Sequence, residues 1–195
     1  MNILLMGPSR VGKTMLSNII ASKIKGYGKI SVDALKLAFK DCFPELGVGF
    51  NNEDVNVKQF PNFVEKYFDI SIYKDNDNGV FYLIDGGRLP NEVALRFKDK
   101  PNTLVVFVGK PNISVENYFK QIRKFETIYD YGGWTKRLDD KTLRKWCASW
   151  IEDSKRDEQF CKDNDLIYLD TSVNQKQVLS EFVNKLKNKE NKKIL

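Results

Sequence analysis

Residues 2–14 read NILLMGPSRVGKT. The apolar run at 2–6 has the continuity of a strand buried on both faces, and Leu16, Ile19, Ile20 and Ile24 recur at helical spacing just after Thr14. Between them stands Gly7-Pro8-Ser9-Arg10-Val11-Gly12-Lys13-Thr14, a full G-x-x-x-x-G-K-[ST] pattern in a strand-to-helix setting. Glycine lets the backbone curl until successive N–H groups point inward, and the helix after the loop adds the positive end of its dipole. Such a concavity suits a chain of phosphates. In the functional reading, Gly7 to Thr14 and the adjoining Met15 cradle a nucleoside triphosphate, taken to be ATP; Lys13 bridges β and γ oxygens and Thr14 ligates Mg²⁺.

The rest of the chain repeats the alternation. Apolar runs at 29–32, 80–84, 103–108 and 166–169 read as further strands. Helical spacing appears in Leu35, Leu37 and Ala38, in Phe63, Val64, Tyr67 and Phe68, and in Val178, Phe182, Val183 and Leu186. Ser114 is a plausible N-cap for a helix carrying Val115, Tyr118, Phe119, Ile122 and Phe125, and Asp139 or Asp140 for one carrying Leu143, Trp146, Trp150 and Ile151. Continuous apolar strands separated by helices predict an α/β domain: a parallel sheet covered on both faces, with ligands at the carboxyl ends of the strands. No linker interrupts residues 1–187, read as one domain, and residues 188–195 read as a basic, unstructured tail.

Composition narrows the chemistry. Histidine is absent, which removes the usual general base and the commonest zinc ligand, so proton transfer falls to carboxylates. Cys42, Cys147 and Cys161 form no C-x-x-C pair and are expected to be reduced and buried. The opening MNILLMG lacks the basic flank of a secretion signal, and no apolar stretch nears the roughly 20 residues that span a bilayer. A soluble, cytoplasmic protein without a membrane partner is expected. The net charge of +6 favours anionic partners, but the Lys-rich run from Lys185 to Lys193 reads as a solvated terminus, so nucleic acid is not the expected partner.

Since ligands gather at the carboxyl ends, the residues just after the other strands are the next candidates. Asp85-Gly86-Gly87-Arg88-Leu89-Pro90 places an acid beside the phosphate loop, where a carboxylate orders magnesium, although Asp-Gly is also a common turn pair. Asp33 is the carboxylate best placed near the expected site to serve as a base, and equally an N-cap for a helix starting at Ala34. Arg88 is suited to clamping an anionic acceptor, or is a plain surface arginine.

In element order and in the DGGRLP stretch the chain resembles the nucleoside monophosphate kinase group of P-loop kinases, adenylate kinase-like, and around Asp33 it resembles shikimate kinase. Gly87 stands where adenylate kinases have an aromatic residue, and Ser31 where shikimate kinases often have a first aspartate. The resemblance implies a three-layer α/β/α P-loop NTPase fold with a five-stranded parallel sheet in the order 2-3-1-4-5, and a helical lid. The acceptor-binding insertion would occupy about 34–74 and the lid about 123–145. It further implies magnesium held through Thr14 and Asp85, the transferring phosphoryl group attended by Lys13, Asp33 and Arg88, and a lid with a Gly132-Gly133 hinge whose candidate arginines are Arg123 and Arg137, then Arg144 and Arg156 on the next helix. Solvated charged helices are the alternative, and Trp134, Trp146 and Trp150 read as core or lid packing rather than base-stacking platforms. Thr171, after the last strand, would lie by the nucleobase. The expected activity is transfer of the ATP γ-phosphate to a small acceptor, an anionic hydroxylated metabolite or a nucleotide, by a monomer or homodimer. A nucleotide-binding regulator without turnover and a nucleic-acid-end kinase are the alternatives. A GTPase fits less well, since no N-K-x-D stretch occurs and Arg88 stands where D-x-x-G requires glycine.

Overall fold

The computed structural model describes residues 1–48, 59–75, 79–86, 89–128 and 133–191. Five strands, β1 (Asn2–Met6), β2 (Tyr27–Ser31), β3 (Phe81–Asp85), β4 (Thr103–Gly109) and β5 (Ile167–Asp170), form one wholly parallel sheet in the order β2-β3-β1-β4-β5. The expected order is the observed one. Among the described residues seven α-helices connect and follow them: α1 (Lys13–Lys23), α2 (Val32–Cys42), α3 (Phe60–Asp75), α4 (Asn91–Lys98), α5 (Val115–Ile128), α6 (Asp140–Asp163) and α7 (Gln175–Asn191).

Every residue of β1 is buried, and its alternating side chains seed two cores. Ile3 and Leu5 pack with Leu83, Val106 and Val108 against α1, α5, α7 and the first half of α6. Leu4 and Met6 pack with Ile84, Val105 and Phe107 against α3, α4 and Cys161 near the end of α6. Helix α6 therefore serves both faces. It passes over the carboxyl end of the sheet at Ser154, whose Oγ accepts from the Lys110 backbone N–H (3.0 Å) and whose carbonyl accepts from Tyr168 Oη (2.9 Å).

Several boundaries differ from the sequence reading. Ser31 caps α2, accepting from the Ala34 N–H at 3.2 Å, so the helix starts at Val32 and Asp33 sits in its first turn. Ser114 and Asp139 cap α5 and α6 as expected, with bonds from the N–H groups of Asn117 and Thr142. Helix α4 has no counterpart in that reading; eight residues with only Val93, Ala94 and Phe97 buried give too short a period to register. Helix α7 runs to Asn191, into the segment expected to be an unstructured tail. Cys147 and Cys161 are buried and free, but Cys42 is exposed at the end of α2. No helix among the described residues is long and apolar enough to cross a membrane.

Candidate active site

The register brings three strand ends to one level. Ser31 and Leu5 both pair with Asp85, and the Gly86 N–H extends the ladder to Leu5 O at 2.8 Å. The loop after β1, the start of α2 and the end of β3 thus meet at the carboxyl edge of the sheet.

The loop has the conformation its glycines permit. Gly7 and Gly12 have φ of 122° and 110°, and a methyl on Gly7 would lie 2.1 Å from Val108 O. Arg10 also adopts positive φ, 64°, held there by its side chain. Its Nη2 donates to Thr135 Oγ1 (2.5 Å), Thr135 Oγ1 donates to Glu126 Oε1 (2.6 Å), and Glu126 Oε2 accepts from Arg123 Nη1 (2.8 Å). Tyr118 Oη pins the crest from below by donating to Ser9 O at 2.8 Å. Gly12 precedes α1 with no acidic residue in the first turn, so the helix presents its amide end to an anion.

Lys13, nearly buried, folds back along the loop, its Nζ donating to Gly7 O (2.9 Å) and Pro8 O (2.6 Å). Thr14 Oγ1 donates to Asp85 Oδ2 at 3.0 Å. A hydroxyl and a carboxylate, two hard oxygens converging beside a phosphate-binding loop, fit Mg²⁺, which takes one or two protein oxygens and completes its shell with phosphate and water.

A cavity opens on each side of this loop. The first, about 230 Å³, is bounded by Gly12 to Met15, Lys110, Gln121, Phe125 and Gln175. Lys110 is fully buried; its Nζ donates to Gln121 Oε1 (2.8 Å) and lies 3.4 Å from Gln175 Oε1, while Gln175 Nε2 donates to Val11 O at 2.8 Å. Burial pushes the Lys110 ammonium down to about 8, with Asp170 pulling the other way. The second cavity, about 320 Å³, lies between Gly7 and Pro8, Leu89 and Asn91 after β3, and Asp153, Arg156 and Asp157 of α6. Asp157 accepts from Asn91 Nδ2 at 2.9 Å, and Arg156 pairs with Asp153. Burial raises the Asp157 carboxyl, against the Asn91 hydrogen bond and the nearby Lys13 charge.

The other expected residues are distributed around this core of the site. Asp33 is exposed on the first turn of α2, at the same sheet end as Asp85. Thr171 is fully buried, its Oγ within 2.9 Å of Val11 O and 3.0 Å of Gly109 O, so it braces the loop from behind; the cavity wall on that side is half-buried Gln175. The guanidinium of Arg123 is spent on Asp140, Glu126 and the carbonyls of Thr135 and Leu138, tying α5 to α6. Arg137 is exposed in a short 3-10 turn, Trp134–Arg137, between those helices. Arg144 pairs with Glu116 over the Phe119 ring. Trp134, Trp146 and Trp150 pack on one another with ring centroids 6.0–6.2 Å apart, a structural cluster as expected. Gly87, Arg88, the stretch 129–132 that includes half of the expected Gly132-Gly133 hinge, and 49–58 of the expected insertion lie outside the described residues.

Lys110, Gln175, Glu126, Asn91 and Asp157 were not anticipated. Lys110 stands directly after β4, where inspection of strand ends finds it; the others carry no local signal.

No family model matches the sequence, and no curated protein matches it significantly. Among solved structures the chain is similar to a shikimate kinase from Bacteroides thetaiotaomicron, at 16% identity and TM-score 0.55 over 97% of this chain and 98% of that one. It is also similar to a gluconokinase from Sinorhizobium meliloti 1021 (15%, TM-score 0.53, 96% of each chain) and to a tunicamycin resistance protein from Deinococcus radiodurans (14%, TM-score 0.52, 95% of each). With the sheet order and the loop geometry, these likenesses give the chain the α/β fold of the P-loop kinases.

Proposed function

We propose that the protein is an ATP-dependent phosphotransferase that moves the γ-phosphate to a small hydroxylated, anionic acceptor. The observation that supports this most is the convergence of Lys13, Thr14 and Asp85 at one end of the loop, with Thr14 Oγ1 and Asp85 Oδ2 3.0 Å apart. The loop N–H groups and the α1 terminus bind the phosphates, and Lys13 exchanges its two carbonyl partners for β and γ oxygens. Thr14 and Asp85 would hold Mg²⁺, which when bound neutralises charge on the phosphates. Ile122 and Phe125 give the first cavity an apolar wall for a base, and the second cavity, across the loop, takes the acceptor, Arg156 attracting its charge. Two of the similar structures are named as kinases, in keeping with this assignment.

Purified protein with ATP and Mg²⁺ is to be offered pools of polyols, hydroxy acids, nucleosides and nucleotides while ADP is followed. Acceptor-dependent ADP from the wild type, lost about 10²-fold or more in Asp85→Asn, is the expected result. Tight binding of a fluorescent ATP analogue with no ADP from any pool would instead favour a regulator.

A further inference from the structure

Asp157 is an acid that the phosphate-loop motif does not account for. It lies on α6 three residues after Ser154, where the helix passes over the sheet end, and it is only 9% exposed. Asn91, the first residue of α4, donates to its Oδ1 at 2.9 Å. Oδ2 receives no hydrogen bond from the described residues. The cavity it borders is also bordered by Gly7 and Pro8, whose carbonyls accept from Lys13 Nζ, and the Lys13 charge is close enough to act on the Asp157 carboxyl.

Resting on the phosphotransferase reading, we infer that Asp157, positioned by Asn91, is the carboxylate that binds the acceptor's hydroxyl in the second cavity and takes its proton. A bond forms between the acceptor oxygen and the γ-phosphorus. The bond from that phosphorus to the β–γ bridging oxygen breaks, its electron pair leaves with ADP, and the hydroxyl proton passes to Asp157 Oδ2. Three features favour Asp157 over Asp33. Asp157 is shielded from water whereas Asp33 is exposed; it borders a cavity shared with the loop; and one of its oxygens is held by an amide that leaves the other oriented. Burial raises its affinity for a proton, which suits a base. Asp153, Arg156 and Lys13 are the charged groups acting on it, Arg156 being occupied by Asp153 and available to an acceptor anion by exchange.

The test compares wild type, Asp157→Asn and Asp33→Asn in three assays: binding of a fluorescent ATP analogue, acceptor-dependent ADP release with the best pool, and slow ATP hydrolysis without acceptor, in which water stands in for the hydroxyl. Asp157→Asn keeps its isosteric bond to Asn91, binds the analogue within about twofold of wild type, and loses about 10²–10⁴-fold in kcat, the usual contribution of a positioned base. In wild type kcat falls at low pH as the carboxylate is protonated; the variant lacks that limb. If Asp157→Asn does not fold, Asn91→Ala serves, expected to cut kcat about tenfold with KM for ATP unchanged, a split that loss of packing alone would not give. Asp157→Asn with near-normal turnover while Asp33→Asn is inactive overturns the assignment and leaves the phosphotransferase reading standing. A wild type that binds the analogue but releases no ADP, with acceptor or water, overturns both.

Discussion

On one side of the phosphate loop lies a cavity whose charged groups are the cations of Arg10, Lys13 and buried Lys110, beside the amides of Gln121 and Gln175; on the other lies one edged by the carboxylates of Asp153 and Asp157 and the guanidinium of Arg156. The first side is already hydrogen-bonded to itself: Gln175 to Val11, Lys110 to Gln121, Tyr118 to Ser9. Among the described residues the second leaves Asp157 Oδ2 without a hydrogen bond and its one guanidinium in an exposed pair. A wall that fixes its own geometry suits a ligand present in every cycle, such as a nucleotide. Groups that must exchange partners suit a ligand recognised by its charge. The partition between the two is Lys13, which touches the loop carbonyls bordering the second cavity and lines the first.

Removing the partition strikes both sides at once. Lys13→Ala deletes the charge that lines the first cavity and bonds the loop carbonyls bordering the second, and lowers kcat by about 10²–10³-fold, the scale for one transition-state donor. Stopped-flow binding of the fluorescent analogue and steady-state ADP release measure the two sides together. Loss confined to binding, with kcat intact, would make Lys13 a nucleotide-side residue only.

Glu126→Gln acts on the α5 side of the first cavity. Its carboxylate is 6% exposed and receives bonds from Thr135 (2.6 Å) and Arg123 (2.8 Å), so neutralising it costs about 1–3 kcal/mol of stability and loosens Arg10 through Thr135. Exposed Arg137, by contrast, is expected to leave stability within about 0.5 kcal/mol of wild type on truncation to Ala. If it reaches the phosphates in turnover, its loss costs kcat about tenfold, about one charge-assisted hydrogen bond. Calorimetry and kinetics on the two variants separate a bracing residue from one that acts.

The legibility of each feature in the chain depended on how local it is. The loop Gly7 to Thr14 and the acid Asp85 lie within a few residues of strands whose apolar runs are unbroken, so motif and setting could be read together. Asp33 reads as the cap of α2 but Ser31 takes that role, because such boundaries are decided by backbone geometry that residue type alone does not reveal. Asp157 and Glu126 look like solvated helix positions in the sequence. They become buried because a 24-residue α6 crosses from one face of the sheet to the other and because the segment after Gly133 folds back on α5. Neither event leaves a period or a motif.

Gly12→Ala strikes the first cavity alone. Its φ of 110° disfavours any side chain, at about 1–3 kcal/mol, and the added methyl would lie 2.2 Å from Gln175 Nε2, forcing that side chain off Val11 O. Nucleotide affinity is expected to fall about tenfold while the KM for acceptor stays put. Equal loss on both sides would mean the cavities are not independent.

Lys110→Met removes the buried ammonium of the first cavity. Folding holds the ammonium down at about 8, against about 10.4 in an unfolded chain, so between those pH values the unfolded state binds more protons and this group makes stability rise with pH. Below about 8 both states are protonated and its penalty is fully present. Cys147 and Cys161, pushed up to about 11 and about 12 by burial, work in the opposite sense, because unfolded thiols ionise near about 8.5 and native ones do not. Only a difference measurement isolates the lysine: the Tm of Lys110→Met minus that of wild type is expected to fall by about 5–10 °C between pH 7 and pH 10. A flat difference would mean that the Gln121 and Gln175 oxygens hold the ammonium charged throughout. The same proton reports on the ligand. A triphosphate in the first cavity draws Lys110 back toward its charged form, so at pH 8 titration calorimetry in buffers of different ionisation enthalpy should register uptake of up to about half a proton with wild type and none from this site in the variant. Uptake that persists in Lys110→Met would place the anion's influence elsewhere on the loop, and the first cavity would lose its claim to the nucleotide.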